Sequence, residues 1–326
     1  MKRNLIFGLM IPVLLASCSV YEDLDPCPRG VSLQFVYDYN MEYADAFSAQ
    51  MHCLTLYVYD GDGNYVGTYT GSGDELKADG YRMVLDLPEG DYTFVAYGGV
   101  ECSGRSFSIV TEPAEGSVLT DLEVQMSHEN YVSGKSLHDL FWGTVDATVE
   151  GEMYKDVTLH LMKDTNNIRL VLQQAYSGSD PVDIDEFDIY ITGNNYLLSS
   201  DNTPETSGQD ITYMPWSSGD GLDVGESADG DDVSAAYAEF SVSRLMASAD
   251  ARLVIYSHQQ QDEVVDIPLV KYLLLLKSEK YPDMSDQEYL DRESLWSMVF
   301  LLNDNTWQDI SIIINDWTVR NNNVEL

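Results

Sequence analysis

Apolar residues occupy every second position at many places along this chain. Val31, Leu33, Phe35 and Tyr37 alternate with Ser32, Gln34, Val36 and Asp38, the period of a strand with one face in a core. Residues 54–59 are rich in β-branched and aromatic side chains and run into Asp60, Gly61, Asp62, Gly63 and Asn64. Residues 65–69 carry the return, so a hairpin is expected. Tyr81, Met83, Leu85 and Leu87 alternate again, Pro88, Glu89, Gly90 and Asp91 turn the chain, and Tyr92, Phe94 and Ala96 lead back. Leu122, Val124 and Met126 add one more strand. Short strands with Gly, Pro and Asp turns at spacings of about ten residues predict an all-β domain of the sandwich kind.

The second half reads the same way. Val157, Leu159 and Leu161, then Ile168, Leu170 and Leu172, predict two strands around a turn at Lys163, Asp164, Thr165, Asn166 and Asn167. Phe187, Ile189 and Ile191 form a third. Residues 199–235 are dominated by Ser, Gly and Asp and read as a long surface excursion. Strands resume at 253–256 and 264–269. Ser285, Asp286, Gln287 and Glu288 make a capping box that opens a helix expected to reach Val299, with Tyr289, Arg292, Trp296 and Val299 on one side. Ile310, Ile312 and Ile314 mark the last clear strand, and residues 317–319 an edge strand after it.

The start of the chain follows another pattern. Lys2 and Arg3 precede an almost unbroken apolar run over residues 5–15, too short to span a bilayer as a stable helix, so it reads as a secretion signal. The run ends in Leu15, Ala16, Ser17 and Cys18. That ending resembles the bacterial lipobox, in which small residues let a signal peptidase reach a cysteine whose thiol takes a diacylglycerol. Cys18 is thus the expected lipid-attachment residue. With an N-acyl chain such as palmitate added, the lipid exceeds the two hydrophobic signals that stable anchoring needs. Residues 18–29 carry Glu22, Asp23 and Asp25 and are broken by Pro26 and Pro28. They read as an extended acidic tether. The acids either solvate a linker or form a signal resembling that for surface export of Bacteroidetes lipoproteins.

The chain has 326 residues, with 17 Lys and Arg against 55 Asp and Glu and a net charge of −38. Loss of Lys2 and Arg3 with the leader makes that balance more negative still. A chain so acidic is repelled by phosphate backbones and anionic lipid surfaces, so nucleic acid is excluded as a partner and membrane contact falls to the lipid. Beyond Cys18 there remain Cys27, Cys53 and Cys102. An odd number in an exported chain allows one disulfide in any of three pairings, or three small buried hydrophobes.

Candidate chemistry is sparse. Asp60, Asp62 and Asn64 begin like a calcium loop, but the sixth place is Tyr65 and the twelfth Gly71, so a hairpin turn is the better reading. Asp229, Asp231 and Asp232 read as a solvated loop. His52, His128, His138, His160 and His258 never fall in a metal-ligand pair. Gly134, Lys135 and Ser136 lack the upstream glycine of a phosphate loop, and no nucleophile elbow occurs. The expectation is a protein that is not an enzyme, with no catalytic residues, cofactor, metal or small-molecule substrate.

Five blocks of sequence in order, CPRGVSLQFVYDYNMEYADAF (27–47), LYVYDGDGNYVG (56–67), YRMVLDLPEGDYTFVAYGG (81–99), HDLFWG (138–143) and LMKDTNNIRLVLQQ (161–174), resemble the FimB-like fimbrial anchor lipoproteins of the Bacteroidetes type V pilus. The likeness extends more loosely to Asp316 and Trp317. It implies two tandem transthyretin-like Greek-key β-sandwich domains, placed here at residues 30–150 and 151–326 behind a leader at 1–17 and the tether at 18–29. It also implies an outer-membrane lipid at the cell surface and a role in holding a fimbrium and limiting its length, through strand-mediated contact with a pilin subunit. By the same resemblance, polymerising subunits lose an N-terminal strand to an arginine- or lysine-specific protease and receive a neighbour's strand in its place. This chain has no Lys or Arg between Arg29 and Lys77. Its alternatives are a surface adhesin or a tip or stalk subunit that binds host glycan or protein.

Overall fold

A computed structural model describes residues 29–100, 102, 104–174, 181–205, 208–221, 234–275, 277, 281–302, 311–314 and 317–320. The chain opens with β1 (Gly30–Tyr39), a short helix α1 (Phe47–Gln50), β2 (Cys53–Asp60), β3 (Tyr65–Ser72), β4 (Arg82–Asp86) and β5 (Gly90–Gly98). β6 (Phe107–Ile109), β7 (Val124–Met126), β8 (Val132–Ser133), β9 (Phe141–Val149) and β10 (Tyr154–Lys163) follow. Seven of these form one sheet in the order β3-β2-β5-β9-β10-β1-β4. Its inner residues, among them Leu33, Phe35, Leu56, Phe94 and Leu159, share a core with Phe47 and Leu76 and with no residue of another sheet. The sheet therefore wraps around its own apolar face, which its alternating sequence makes possible.

The second half supplies β11 (Asn166–Gln174), β12 (Phe187–Gly193), β13 (Leu197–Leu198), β14 (Ile211–Tyr213), β15 (Ser217–Asp220) and β16 (Ala235–Val242). β17 (Arg252–Ser257), β18 (Asp262–Pro268), α2 (Leu269–Leu273), α3 (Asp286–Arg292), β19 (Leu295–Leu302), β20 (Ser311–Ile314) and β21 (Trp317–Arg320) complete it. A six-stranded sheet runs β15-β16-β11-β19-β20-β21, and a five-stranded one β18-β17-β12-β14-β8. A small sheet, β13-β7-β6, joins the halves. β8 and β7 come from the first half but pair with β14 and β13 of the second. The second core reaches back to Tyr57, Tyr59, Val95 and Tyr97, on the outer face of the seven-stranded sheet.

The all-β class expected from the alternation is the class observed, but three local expectations are corrected. The strands at 154–163 and 166–174 do not form a hairpin. β10 pairs with β1 in parallel and with β9 antiparallel, whereas β11 pairs with β16 and β19 in the next sheet. β10 thus lies beyond residue 150 but belongs to the first sheet. The intervening polar residues are a buried crossover: Asp164, Thr165 and Asn166 are 0%, 0% and 2% exposed. Polar composition resembled a surface turn because the partners of Asp164 N, Thr165 Oγ1 and Asn166 Oδ1 are supplied only by the tertiary fold.

The helix expected to reach Val299 begins as predicted, with Ser285 Oγ accepting from Glu288 N at 3.1 Å, but ends at Arg292. Glu293 is extended, and Trp296, Met298, Phe300 and Leu302 form the buried side of β19. β19 lies parallel to β11 over eight paired positions, and that pairing outweighs the helical spacing of Trp296 and Val299. The excursion at 199–235 is only partly loop. It contains β14, with Ile211 and Tyr213 fully buried, while Asp229, Asp231 and Asp232 lie outside the described residues.

Cys53 and Cys102 form a disulfide, with Cα atoms 5.6 Å apart and a sequence separation of 49; Cys27 lies outside the described residues. Closing a loop of that length contributes roughly 4 kcal/mol through the unfolded chain. Replacement of both cysteines by serine is expected to lower stability by a few kcal/mol, or Tm by on the order of 10 °C, by calorimetry. An unchanged Tm would remove the bond from the stabilising set.

Asp164 generates a second prediction. Burial pushes its carboxyl up to about 7, against Arg244 and the Asn202 amide, which pull it down, while Asp291 pushes it further up. Its pKa is higher folded than unfolded, so its contribution is fully present below 3.8 and is lost as pH rises towards about 7. Asp164→Asn cannot lose that proton. Relative to the parent, its Tm is expected to be higher at pH 8 than the same comparison gives at pH 5; equal differences at both pH values would refute the assignment.

Candidate functional site

The predicted lipid-attachment residue, Cys18, and the tether up to Pro28 lie outside the described residues. The described chain starts at Arg29, and the next residue opens β1. β1 is an interior strand, flanked by β10 on one side and β4 on the other. Val31, Leu33, Phe35 and Tyr37 point into the core and are almost wholly buried. Burying each such side chain contributes about 1.5–3 kcal/mol, so extraction of β1 would dismantle the sheet's core.

Both ends of β1 are clasped. At the start, Leu87 N donates to Arg29 O at 3.1 Å, and Arg29 Nη1 meets Glu89 Oε1 at 3.1 Å. Gly30 has φ +148°, and a Cβ there would collide with the Leu85 carbonyl, so this position needs glycine. Arg82 on β4 reaches across β1: Nη1 donates to Ser32 O at 3.1 Å and Asp156 Oδ1 at 3.0 Å, and Nη2 to Gln34 Oε1 at 3.0 Å. One guanidinium thereby fastens three neighbouring strands. Beyond the far end, Arg292 of α3 lies 4.0 Å from the Tyr39 ring centroid and 4.4 Å from that of Tyr43. It also donates to the carbonyls of Asp38 and Asn40 at 3.4 and 3.3 Å. Cation–π contacts of this kind contribute about 0.5–2 kcal/mol each. Nothing in the sequence singles out Arg82 or Arg292, because their roles depend on strand order and on the approach of α3. The one legible signal was Gly30 beside Arg29.

The sheets end in several edges. β3 and β4 flank the seven-stranded sheet, β15 and β21 the six-stranded one, and β18 and β8 the five-stranded one. The hairpin before β3 closes on Asp60, whose Oδ1 accepts from Asp62 N at 3.0 Å and Asn64 N at 2.9 Å. These backbone bonds and the Asn64 side chain hold the Asp60 carboxyl below its usual range and use the oxygens that a calcium loop would offer. Among the described residues no cluster of three His, Cys, Asp or Glu is arranged to hold a metal, and no helix is long and apolar enough to cross a membrane.

A separate cleft of about 380 Å³ opens on the six-stranded sheet. Trp216 and Leu295, 42% and 65% exposed, form its apolar rim. Arg169 and Glu239 face each other there at 3.8 Å.

Comparison with known proteins matches this arrangement to one group. The family described as fimbrillin-A associated anchor proteins Mfa1 and Mfa2 matches residues 24–323. The minor fimbrium anchoring subunit Mfa2 of Porphyromonas gingivalis is 22% identical over 318 residues, 96% of this chain and 92% of that protein. The solved structure of that anchor protein superposes with a TM-score of 0.69 at 16% identity, over 90% of this chain and 99% of the other. A candidate adhesin from Bacteroides thetaiotaomicron is 46% identical with a TM-score of 0.84, covering 91% and 99%. A second structure from the same organism, described as a candidate polysaccharide-binding protein, is 31% identical with a TM-score of 0.77, covering 90% and 98%. With that family model matching residues 24–323, this chain belongs to the family of fimbrillin-A associated anchor proteins Mfa1 and Mfa2.

Proposed function

We propose that this chain is an outer-membrane lipoprotein, acylated at Cys18, that holds a fimbrium at the cell surface and ends its assembly. The observation that carries the reading is the position of β1. The first strand after the tether is an interior strand clasped at both ends, and the Arg29 carbonyl is bonded into the sheet. No Lys or Arg lies between Arg29 and Lys77. A cut that frees the strand, of the kind expected for polymerising subunits, has no site within β1. The tether then stays joined to the folded body, and the eleven residues from Ser19 to Arg29 reach at most about 40 Å from the lipid-bearing Cys18. The partner is a fimbrial subunit, in keeping with the family. Contact runs through paired strands, with backbone hydrogen bonds giving affinity and alternate side chains specificity.

The cleft beside Trp216 supports a second reading, that of an adhesin for neutral glycan. An exposed indole next to an Arg and Glu pair offers a stacking face and hydrogen-bond partners, and the relatives described as a candidate adhesin and a candidate polysaccharide-binding protein share the fold. Trp216→Ala in a glycan-binding assay separates the two readings, since loss of a measured glycan affinity would favour the adhesin.

Cys18→Ala is expected to leave the folded domains intact, by thermal unfolding, but to shift fimbriae from cells into the medium. Unchanged surface retention would refute the anchoring role. Limited digestion with trypsin tests the clasp on β1. Cleavage after Lys135, whose side chain is 74% exposed, is expected well before any cut after Arg29, which should await global unfolding. Early release of a peptide ending at Arg29 would mean that the tether is detachable in the native fold.

A further inference from the structure

We infer that the free edge of β3, residues 66–71, is where a strand of the partner fimbrial subunit adds to the seven-stranded sheet. The inference rests on the anchoring reading and gives it a place. An edge strand exposes a row of unpaired N–H and C=O groups, and proteins protect such rows with charges, proline, bulges, short length or a covering segment. The described edges can be compared on those terms. β4 carries Arg82 and Asp86, which are engaged with Asp156 and with Tyr154. β18 carries Asp262, Glu263, Asp266 and Pro268. β15 has four residues and is held against the turn before β12 by Ile184 N donating to Asp220 Oδ1 at 2.7 Å. β21 also has four residues and includes Arg320. β6, β8 and β13 have three or two residues each.

β3 differs from all of these. Its eight residues, YVGTYTGS, include no charge and no proline, in a chain with 55 acids. β-Branched and aromatic side chains favour pairing. The strand's other side is fully paired with β2 from Cys53 to Tyr59. Both its ends are engaged: Tyr65 N donates to Ser117 O at 3.0 Å, and Ser72 N donates to Glu75 Oε1 at 2.7 Å. From Val66 to Gly71, among the described residues, no backbone hydrogen bond runs from the outer edge to another segment. Val66 is 42% exposed, and Thr68 and Thr70 are exposed on the same face. The strand that follows the bulge opposite Val58 is thus an open template for an extended peptide.

Charge decides between occupants. A second copy of this chain would bring another −38 alongside the first, and an uncharged edge offers nothing to offset that repulsion. The occupant is therefore a strand from a different chain, and in a fimbrial anchor family that chain is the fimbrial subunit.

The test places p-benzoylphenylalanine at Thr68, and separately at Val84 on the β4 edge, in the full-length lipoprotein in cells that bear fimbriae. Irradiation is expected to give an adduct with a fimbrial subunit, identified by peptide sequencing, from Thr68 and not from Val84. In parallel, the double variant Thr68→Lys/Thr70→Lys, which guards the edge, should raise the fimbriae shed into the medium at least fivefold while its Tm matches the parent. An adduct of two copies of the chain, an adduct from Val84 alone, or parental retention by the lysine variant would overturn the assignment of the edge. Those results leave the anchoring role to the Cys18→Ala comparison in the same cells: if that variant releases fimbriae, the anchor reading stands and only the docking edge is wrong.

Discussion

Three polar residues sealed from water carry the chain from one sheet into the next. Leu140 O accepts from Asp164 N at 2.8 Å, and Leu140 N donates to Thr165 Oγ1 at 2.9 Å. Trp296 Nε1 donates to Asn166 Oδ1 at 2.9 Å, which fixes β19 beside β11. Asn202 Nδ2 donates to Asp164 Oδ1 at 2.8 Å, and Arg244 forms a two-pronged pair with Asp291 of α3 at 3.0 and 2.9 Å. The loop after β13, the end of β16 and the short helix all converge on this crossover. Losing a partner to a buried polar group costs about 1–3 kcal/mol, so the junction tolerates few alternative arrangements.

That constraint also explains how the two halves act as one body. The run from β10 to β11 supplies the parallel partner of β1 in the first sheet and of β19 in the second. Parallel pairing cannot be closed by a tight turn. The two sheets are joined through β10, which pairs directly with β1, and through the buried hydrogen bonds of the crossover. Arg292 provides a second route, from the end of β1 to α3.

The polar and charged residues divide between two tasks. At the junction they are buried and hydrogen-bonded to groups of other elements, which restricts the packing there. On the edges they are exposed and keep strands from pairing with the wrong chain. The outer face of the second core is apolar around Trp216 and Leu295, and the edge of β3 is neutral; both depart from the acidic character of the rest of the surface.

The alternation of Val31, Leu33, Phe35 and Tyr37, and of Ile168, Leu170 and Leu172, determined by itself that these segments are strands with one buried face, because side-chain direction in a strand has a period of two. The Asp60 hairpin and the Ser285 cap were equally legible, since each is made by residues within a few positions of one another. The family likeness, too, was readable from blocks in the linear order. Tertiary structure alone decided which strands pair, that Cys53 meets Cys102, that Asp164 to Asn166 are interior, and that Leu295–Leu302 is a strand and not the continuation of a helix. In each case the deciding partner lies far away in sequence, and local pattern carries no information about it. The exposure of the β3 edge belongs to the same class: its neutral composition was visible in the sequence, but only the sheet order shows that no strand of the described residues covers it.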